Sequence, residues 1–199
     1  MQLNLKDIFL NTKWIQAGDS SFIYFDEITS TLDVALDKKY QSNSVGKIVI
    51  TDHQTQGKGS YNKSWFCEPF KDLTFSIILG NKHNFNQLLV DEACQSILHV
   101  LKEFEINGYQ KRPNDIYIDG EKIAGVLLSN ISSASTLPNQ TLSIGININS
   151  NLDLKKIESF SEVNSTSFFK QTGNTYNRED ILCKLIESLD KAIQKLVYQ

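Results

Sequence analysis

Between Arg178 and Val197 the apolar side chains Ile181, Leu182, Leu185, Ile186, Leu189, Ile193 and Leu196 recur on one stripe at the 3.6-residue period of an α-helix. A helix that is apolar on one side only must lay that side on a partner. The stripe of Leu89, Ala93, Ile97, Val100, Leu101 and Phe104, within Asn86 to Phe104, sets the same demand. Strands supply the partner. Phe22 to Phe25, Lys47 to Thr51, Leu73 to Leu79 and Thr141 to Asn149 are short apolar or β-branched runs. Asp115 to Ile118 and Lys122 to Ile131 read as a hairpin turning on Asp119-Gly120, a pair suited to a type I′ turn. Asp52 to Ser64 and Ser132 to Gln140 read as loops. Ser30 to Tyr40 reads as a third helix, with Leu32, Ala35 and Leu36 at helical spacing behind a Ser-Thr cap. Strands in runs and hairpins predict an α+β fold of at least five strands and three helices.

Composition narrows the function. The 199 residues are 40% hydrophobic and 22% charged, enough to bury a sizeable core, and by length they make a single domain over 1–199. Twenty Lys and Arg against 23 Asp and Glu give a net charge of −3, so no general basic field exists to hold DNA. No apolar run approaches the roughly 18 residues that span a bilayer, and Met1 to Gly18 lacks the order of a signal peptide, which predicts a cytoplasmic protein that does not enter membranes. Cys67, Cys94 and Cys183 stand far apart without a C-x-x-C, and are read as reduced core thiols. His53, His83 and His99 show no metal-ligand spacing, so a metal held by protein alone is not expected.

Two segments carry the candidate chemistry. The loop Gln54 to Trp65 combines Gly57 and Gly59 with Lys58 and Lys63 and has no acid, a pattern that suits a phosphate or carboxylate cradle; a solvated hairpin loop is the alternative reading. It fits neither the P-loop nor G-x-G-x-x-G, since Gly59 follows Lys58 and position 62 is Asn. In Lys111-Arg112-Pro113-Asn114-Asp115, Pro113 fixes the backbone before a strand and holds Asn114 and Asp115 at its mouth, which Lys122 reaches from the returning strand. A lysine there stabilises negative charge developing at a phosphoryl or acyl centre; a surface Asn-Asp turn is the plainer alternative.

In their order along the chain, Ser30-Thr31, Gln54 to Trp65, Lys111 to Asp115, Lys122-Ile-Ala-Gly125, Ser143-Ile-Gly-Ile-Asn147 and Asn164-Ser-Thr-Ser167 resemble the biotin protein ligases. Members of that family carry S-T-N, G-R-G-R-x-G-R-x-W, K-W-P-N-D, K-[IL]-A-G and G-[IL]-N in the same order. The resemblance runs from about residue 22 to the end. It implies a mixed, mainly antiparallel sheet packed by helices, of the class II aminoacyl-tRNA synthetase and biotin protein ligase type. It also implies two reactions: biotin and MgATP give biotinyl-5′-adenylate and pyrophosphate, and a lysine of a biotin carboxyl-carrier protein, of acetyl-CoA carboxylase or a related carboxylase, then takes the biotin.

By the same resemblance Ser30, Thr31 and Gln54 bind the ureido ring, and Gly57, Lys58 and Gly125 add biotin contacts. The loop from Gly57 to Lys63 closes over the adenylate through Lys58, Gly59, Ser60 and Lys63, and Trp65 lies near the adenine and the loop base. Lys122 meets the biotin carboxylate and α-phosphate, Asn114 and Asn147 fall at ATP and Mg²⁺ positions, and Asp115 positions the reacting groups and is a candidate helper for the acceptor amine. The chemistry agrees: a polar ring needs fixed donors and acceptors in an apolar pocket, and adenylation builds charge that lysine and Mg²⁺ stabilise.

The departures are specific. Leu32 stands at the Asn of S-T-N, Arg112 at the Trp of K-W-P-N-D, and Ser60 and Asn62 at an arginine and a glycine of the loop. Lysine lacks arginine's bidentate fork, which predicts weaker retention of the adenylate than in relatives with the full arginine set. The sequence predicts neither an N-terminal helix-turn-helix nor the C-terminal SH3-like domain of many relatives, and it fits a monomer or a homodimer. Two rivals are weighed: a lipoate or octanoate ligase of the same fold, whose R-R-x-[ST]-G-G-G-x-V is absent, and a non-catalytic module that binds biotin or an adenylate without transfer.

Overall fold

The computed structural model describes residues 1–6, 8–17, 19–41, 44–133, 136–151 and 164–198. Seven strands, β1 (Phe22–Ile28), β2 (Ile48–Gln54), β3 (Leu73–Gly80), β4 (Tyr109–Lys111), β5 (Asp115–Ile118), β6 (Glu121–Ser133) and β7 (Thr136–Ile146), form one sheet in the order β1-β2-β3-β7-β6-β5-β4. Only β1 and β2 pair parallel among these strands; the other neighbours are antiparallel. The helices are α1 (Thr31–Leu36), α2 (Lys38–Gln41), α3 (Gln87–Glu103), α4 (Phe168–Thr172) and α5 (Arg178–Val197).

Alternation along the strands sends side chains to two faces. Ile48, Ile50, Phe75, Ile77, Leu142, Ile144 and Ile146 join the stripes of α3 and α5 in the main core, in which Leu89, Ile97, Leu185 and Leu189 are buried. Val49 and Ile78, from the other face, pack with Ala35 of α1 in a second, smaller cluster. Thus α3 and α5 cover one side of the sheet and α1 the other. The N-terminal segment is tied to α5 through the helix's acids: Asn4 N donates to Glu179 Oε1 (2.8 Å), and the amides of Trp14 and Ile15 donate to Asp190 Oδ1 (2.8 and 2.7 Å). No helix among the described residues is long and apolar enough to cross a membrane.

The expected helices over Asn86 to Phe104 and Arg178 to Val197 are present with Asn86 and Asn177 as their N-caps. The hairpin turns at Asp119 and Gly120, both at positive φ (48° and 83°), as a type I′ turn requires. Three boundaries differ. The helix expected over Ser30 to Tyr40 breaks at Asp37, whose backbone is extended and whose Oδ1 accepts Lys39 N at 3.0 Å, the local bond by which Asp interrupts helices. The loop expected from Asp52 begins later, because β2 continues beside β1 to Gln54, pairing His53 with Glu27 and Gln54 with Ile28. The loop expected over Ser132 to Gln140 is mostly strand: Asn139 pairs with Ile131 and Gln140 with Asn130, so cross-strand pairing overrides a turn-like composition. Strand β4 and helix α4 go beyond the elements read from the sequence. Cys67 and Cys94 are buried, and burial pushes their thiols up to about 11 and about 12; Cys183 is only half-buried.

Candidate active site

On the α1 side of the sheet, β3, β7 and β6 carry small or polar residues where the core face carries large ones. Thr74 and Ser76 of β3 face Gly145 and Ser143 of β7, and Gly145 faces Gly125 of β6. Cross-strand partners share a face, so these residues form a shallow floor. Over it lies a cleft of about 890 Å³ bounded by α1, the Gly57–Trp65 loop and the β5–β6 hairpin.

The loop is fixed as a small hairpin of its own. Trp65 N donates to Gly57 O (2.8 Å) and Gly59 N to Lys63 O (2.7 Å), with a bridge between Lys58 and Ser64. Gly59's amide is therefore committed within the loop and is not a free cradle donor; the cationic character comes from lysine side chains. At Gly57 a Cβ would lie 2.3 Å from Trp65 O, so only glycine permits this closure. Two contacts join the loop to opposite walls: Lys58 Nζ pairs with Asp33 Oδ1 of α1 at 2.5 Å, and Asn114 Nδ2 donates to Ser60 Oγ at 3.1 Å. Tyr61, at the tip, is exposed and left-handed (φ 57°).

Trp65 turns inward. Its indole lies over Gly125 and Gly145, so closely that a Cβ on Gly145 would be 2.3 Å from Cε2. The Nε1 atom is buried and has no hydrogen-bond partner, an orphaned donor beside the cleft. Lys122 Nζ stands 5.3 Å from the ring centroid and 2.7 Å from Asp115 Oδ1. The hairpin thus brings Lys122 and Asp115 together as the sequence suggested. Four lysines, Lys58, Lys63, Lys111 and Lys122, line the cleft against one carboxylate, Asp115, in a chain whose net charge is negative. The local sign suits an anionic ligand.

The opposite end is neutral and polar. Ser30 caps α1, accepting Leu32 N at 3.3 Å, and Thr31 donates both N–H (2.7 Å) and Oγ1–H (3.1 Å) to Gln54 Oε1. Thr31's hydroxyl hydrogen is thereby held by Gln54, which makes Thr31 chiefly a support for that side chain. Behind Thr31 stand Ser76 and Ser143, which sequence reasoning leaves without a role because a serine inside an apolar strand reads as a mere interruption.

Asn114 also donates to Val126 O (2.6 Å), and Asn147 donates to Thr166 O (2.9 Å), which leaves each amide oxygen directed away from that bond. All the sequence-selected residues, Ser30, Thr31, Gln54, Lys58, Gly59, Ser60, Lys63, Trp65, Asn114, Asp115, Lys122, Gly125 and Asn147, border one cleft, with Gly57 at the loop base. Arg112 does not. It pairs with Asp91 of α3 (3.3 Å), whose carboxyl is held below its usual range first by Gln110 and then by Gln87 and Arg112.

The description "Biotin/lipoate A/B protein ligase family" belongs to the family model that matches residues 22–149, more than half of the chain. The chain belongs to this family. The matched span holds every cleft segment except the Asn164–Ser165 edge. Among curated relatives, the bifunctional ligase/repressor BirA of Bacillus spizizenii is 26% identical over 177 residues, covering 85% of this chain and 52% of that protein. BirA of Bacillus subtilis is 28% identical over 130 residues, 64% of this chain and 40% of that protein. This chain therefore spans about half the length, or less, of these two relatives. Its structure is similar to that of the biotin protein ligase of Aquifex aeolicus in complex with biotin and ATP, at a TM-score of 0.73 and 26% identity over 90% of this chain and 72% of the other. The family fold is the α+β, mixed and mainly antiparallel sheet expected from the sequence.

Proposed function

We propose that this chain is the catalytic domain of a biotin protein ligase, which activates biotin with ATP and transfers it to a lysine of a biotin carboxyl-carrier protein. The observation that carries the reading is the likeness, across 90% of the chain, to a biotin protein ligase solved with biotin and ATP. The cleft supports it, joining a neutral hydrogen-bonding end at Ser30 and Gln54 to a cationic end at Lys122.

In the first step a biotin carboxylate oxygen attacks the α-phosphorus of ATP and pyrophosphate leaves. Both reactants are anions, so the cation at Lys122 Nζ reduces their repulsion and stabilises the charge that builds at phosphorus. In the second step the carrier amine attacks the acyl carbonyl and AMP leaves. Asp115, paired with Lys122 at 2.7 Å, would orient that amine and assist its loss of a proton.

Magnesium would arrive with the ATP phosphates and neutralise their charge. Asn114 and Asn147 offer hard amide oxygens of the kind Mg²⁺ accepts, their Nδ2 groups being committed to Val126 O and Thr166 O. The three free cysteines, well separated in sequence, fit a cytoplasmic setting.

The test is mass spectrometry of a carboxyl-carrier domain incubated with this chain, ATP, Mg²⁺ and biotin. The reading expects one biotinyl group added, dependent on ATP and absent when the acceptor lysine is replaced by arginine. An unmodified carrier in the presence of tightly bound biotin would favour a non-catalytic module instead.

A further inference from the structure

Beneath the neutral end of the cleft, four polar side chains form a continuous chain, buried at Gln54, Thr31 and Ser76 and reaching the cleft at Ser143, whose polarity the geometry dictates. Thr31 N–H can only donate, so the atom it meets at 2.7 Å is Gln54's amide oxygen, and Gln54 Nε2 is left as a free donor near Gly57. Thr31 Oγ1 lies 3.1 Å from that same oxygen; two acceptors at this distance would repel, so Thr31's hydroxyl also donates to it. Its own hydrogen being committed, Thr31 Oγ1 accepts from Ser76 Oγ at 2.9 Å. Ser76 is completely buried, and with its hydrogen directed to Thr31 it must accept from Ser143 Oγ, 2.7 Å away. Ser143 borders the cleft. Its hydrogen points down into the chain, so toward a ligand it shows only lone pairs.

We infer that Ser143 is a specificity-determining acceptor for a ring N–H of the ligand, with Ser76 as the positioning residue that fixes its polarity. The inference rests on the biotin reading and sharpens it. Ser30, whose oxygen accepts the Leu32 amide, keeps its hydrogen free to donate, as does Gln54 Nε2. The neutral end of the cleft thus offers two donors and one acceptor, the complement of a cyclic urea's carbonyl and of one of its two N–H groups. A dithiolane ring or an alkyl chain has no N–H for Ser143 and leaves its lone pairs facing an apolar group, which costs the interaction a polar site would otherwise make.

Titration calorimetry on the full chain tests this with biotin and two cyclic carbamate analogues, in each of which one ureido N–H is replaced by oxygen. Wild-type protein is expected to bind biotin and to bind one of the carbamates at least roughly tenfold more weakly, because oxygen lone pairs then meet the Ser143 lone pairs. Ser143→Ala is expected to lose that discrimination. Ser76→Ala is the decisive variant: it frees the Ser143 hydroxyl to rotate and donate to the carbamate oxygen, so the carbamate penalty shrinks while circular dichroism shows the fold retained. A Ser143→Ala protein that discriminates biotin from both carbamates as wild type does overturns the inference and leaves the biotin reading intact. Wild-type protein that binds no biotin overturns both.

Discussion

The indole of Trp65 lies on Gly145, with Cε2 2.3 Å from the place a Cβ would occupy. Gly145→Ala therefore expels the indole from the floor while leaving the strand pairing of β3 and β7 in place. The chain has two tryptophans, so Trp14→Phe isolates the signal. In that background Gly145→Ala should shift Trp65 emission to longer wavelength and weaken biotin binding at least about tenfold, the scale of a lost packed contact in a binding pocket. An unchanged spectrum contradicts the packing.

Ser60 stands where the family pattern has arginine, and here it accepts a hydrogen bond from Asn114 instead. Ser60→Arg should add a charge-assisted bond to the adenylate and slow its dissociation by about tenfold, measured by rapid chase with unlabelled biotin and ATP. Equal release rates would show that the loop's missing arginine has no part in retention.

Asp72 carries the clearest pH signature. Burial raises its carboxyl from 3.8 to about 6, although the amides of Glu68 and Ile148 donate to it. A folded pKa above the unfolded one means that the native state binds the proton more tightly. Its stabilisation is complete below about pH 4 and is lost as pH rises through about 6. Wild-type stability, from denaturant titrations at a series of pH values, should fall across this window relative to Asp72→Asn by roughly 2–3 kcal/mol. Parallel profiles would refute the assignment.

The buried pair of Arg178 Nη2 and Asp52 Oδ1, 2.7 Å apart, fastens the start of α5 to β2, and Arg178 also donates to Met1 O. Arg178→Met leaves Asp52 charged and buried, and should destabilise the fold by about 3–5 kcal/mol. Adding Asp52→Asn should recover part of that loss. Strict additivity of the two losses in chemical denaturation would count against a coupled pair.

Much of this architecture is legible in the sequence because each helical stripe has to find a sheet. Arg178 to Val197 is one helix with its apolar stripe buried, and Asp119-Gly120 makes the turn that pairs Lys122 with Tyr117 and lets Lys122 Nζ reach Asp115 Oδ1 at 2.7 Å. What was not legible depends on partners. Tyr109 to Lys111 is three residues without alternation and becomes a strand only beside β5; Pro138 and Asn139 suggest a loop until Asn139 pairs with Ile131 of β6. In the site, Ser30, Gln54 and Lys122 announce themselves by motif and chemistry. The roles of Ser76 and Ser143, and the seat of Trp65 on two glycines, exist only through strand register, which a single sequence does not display.

The most direct test of the account is pyrophosphate release from ATP and Mg²⁺ with biotin, lipoate or octanoate in parallel, for wild type and Lys122→Ala. The account predicts release with biotin and a loss of about 100-fold or more in the variant, the scale of removing a donor from a developing oxyanion. Release supported by lipoate or octanoate but not by biotin, or biotin-dependent release unaffected by Lys122→Ala, would contradict it.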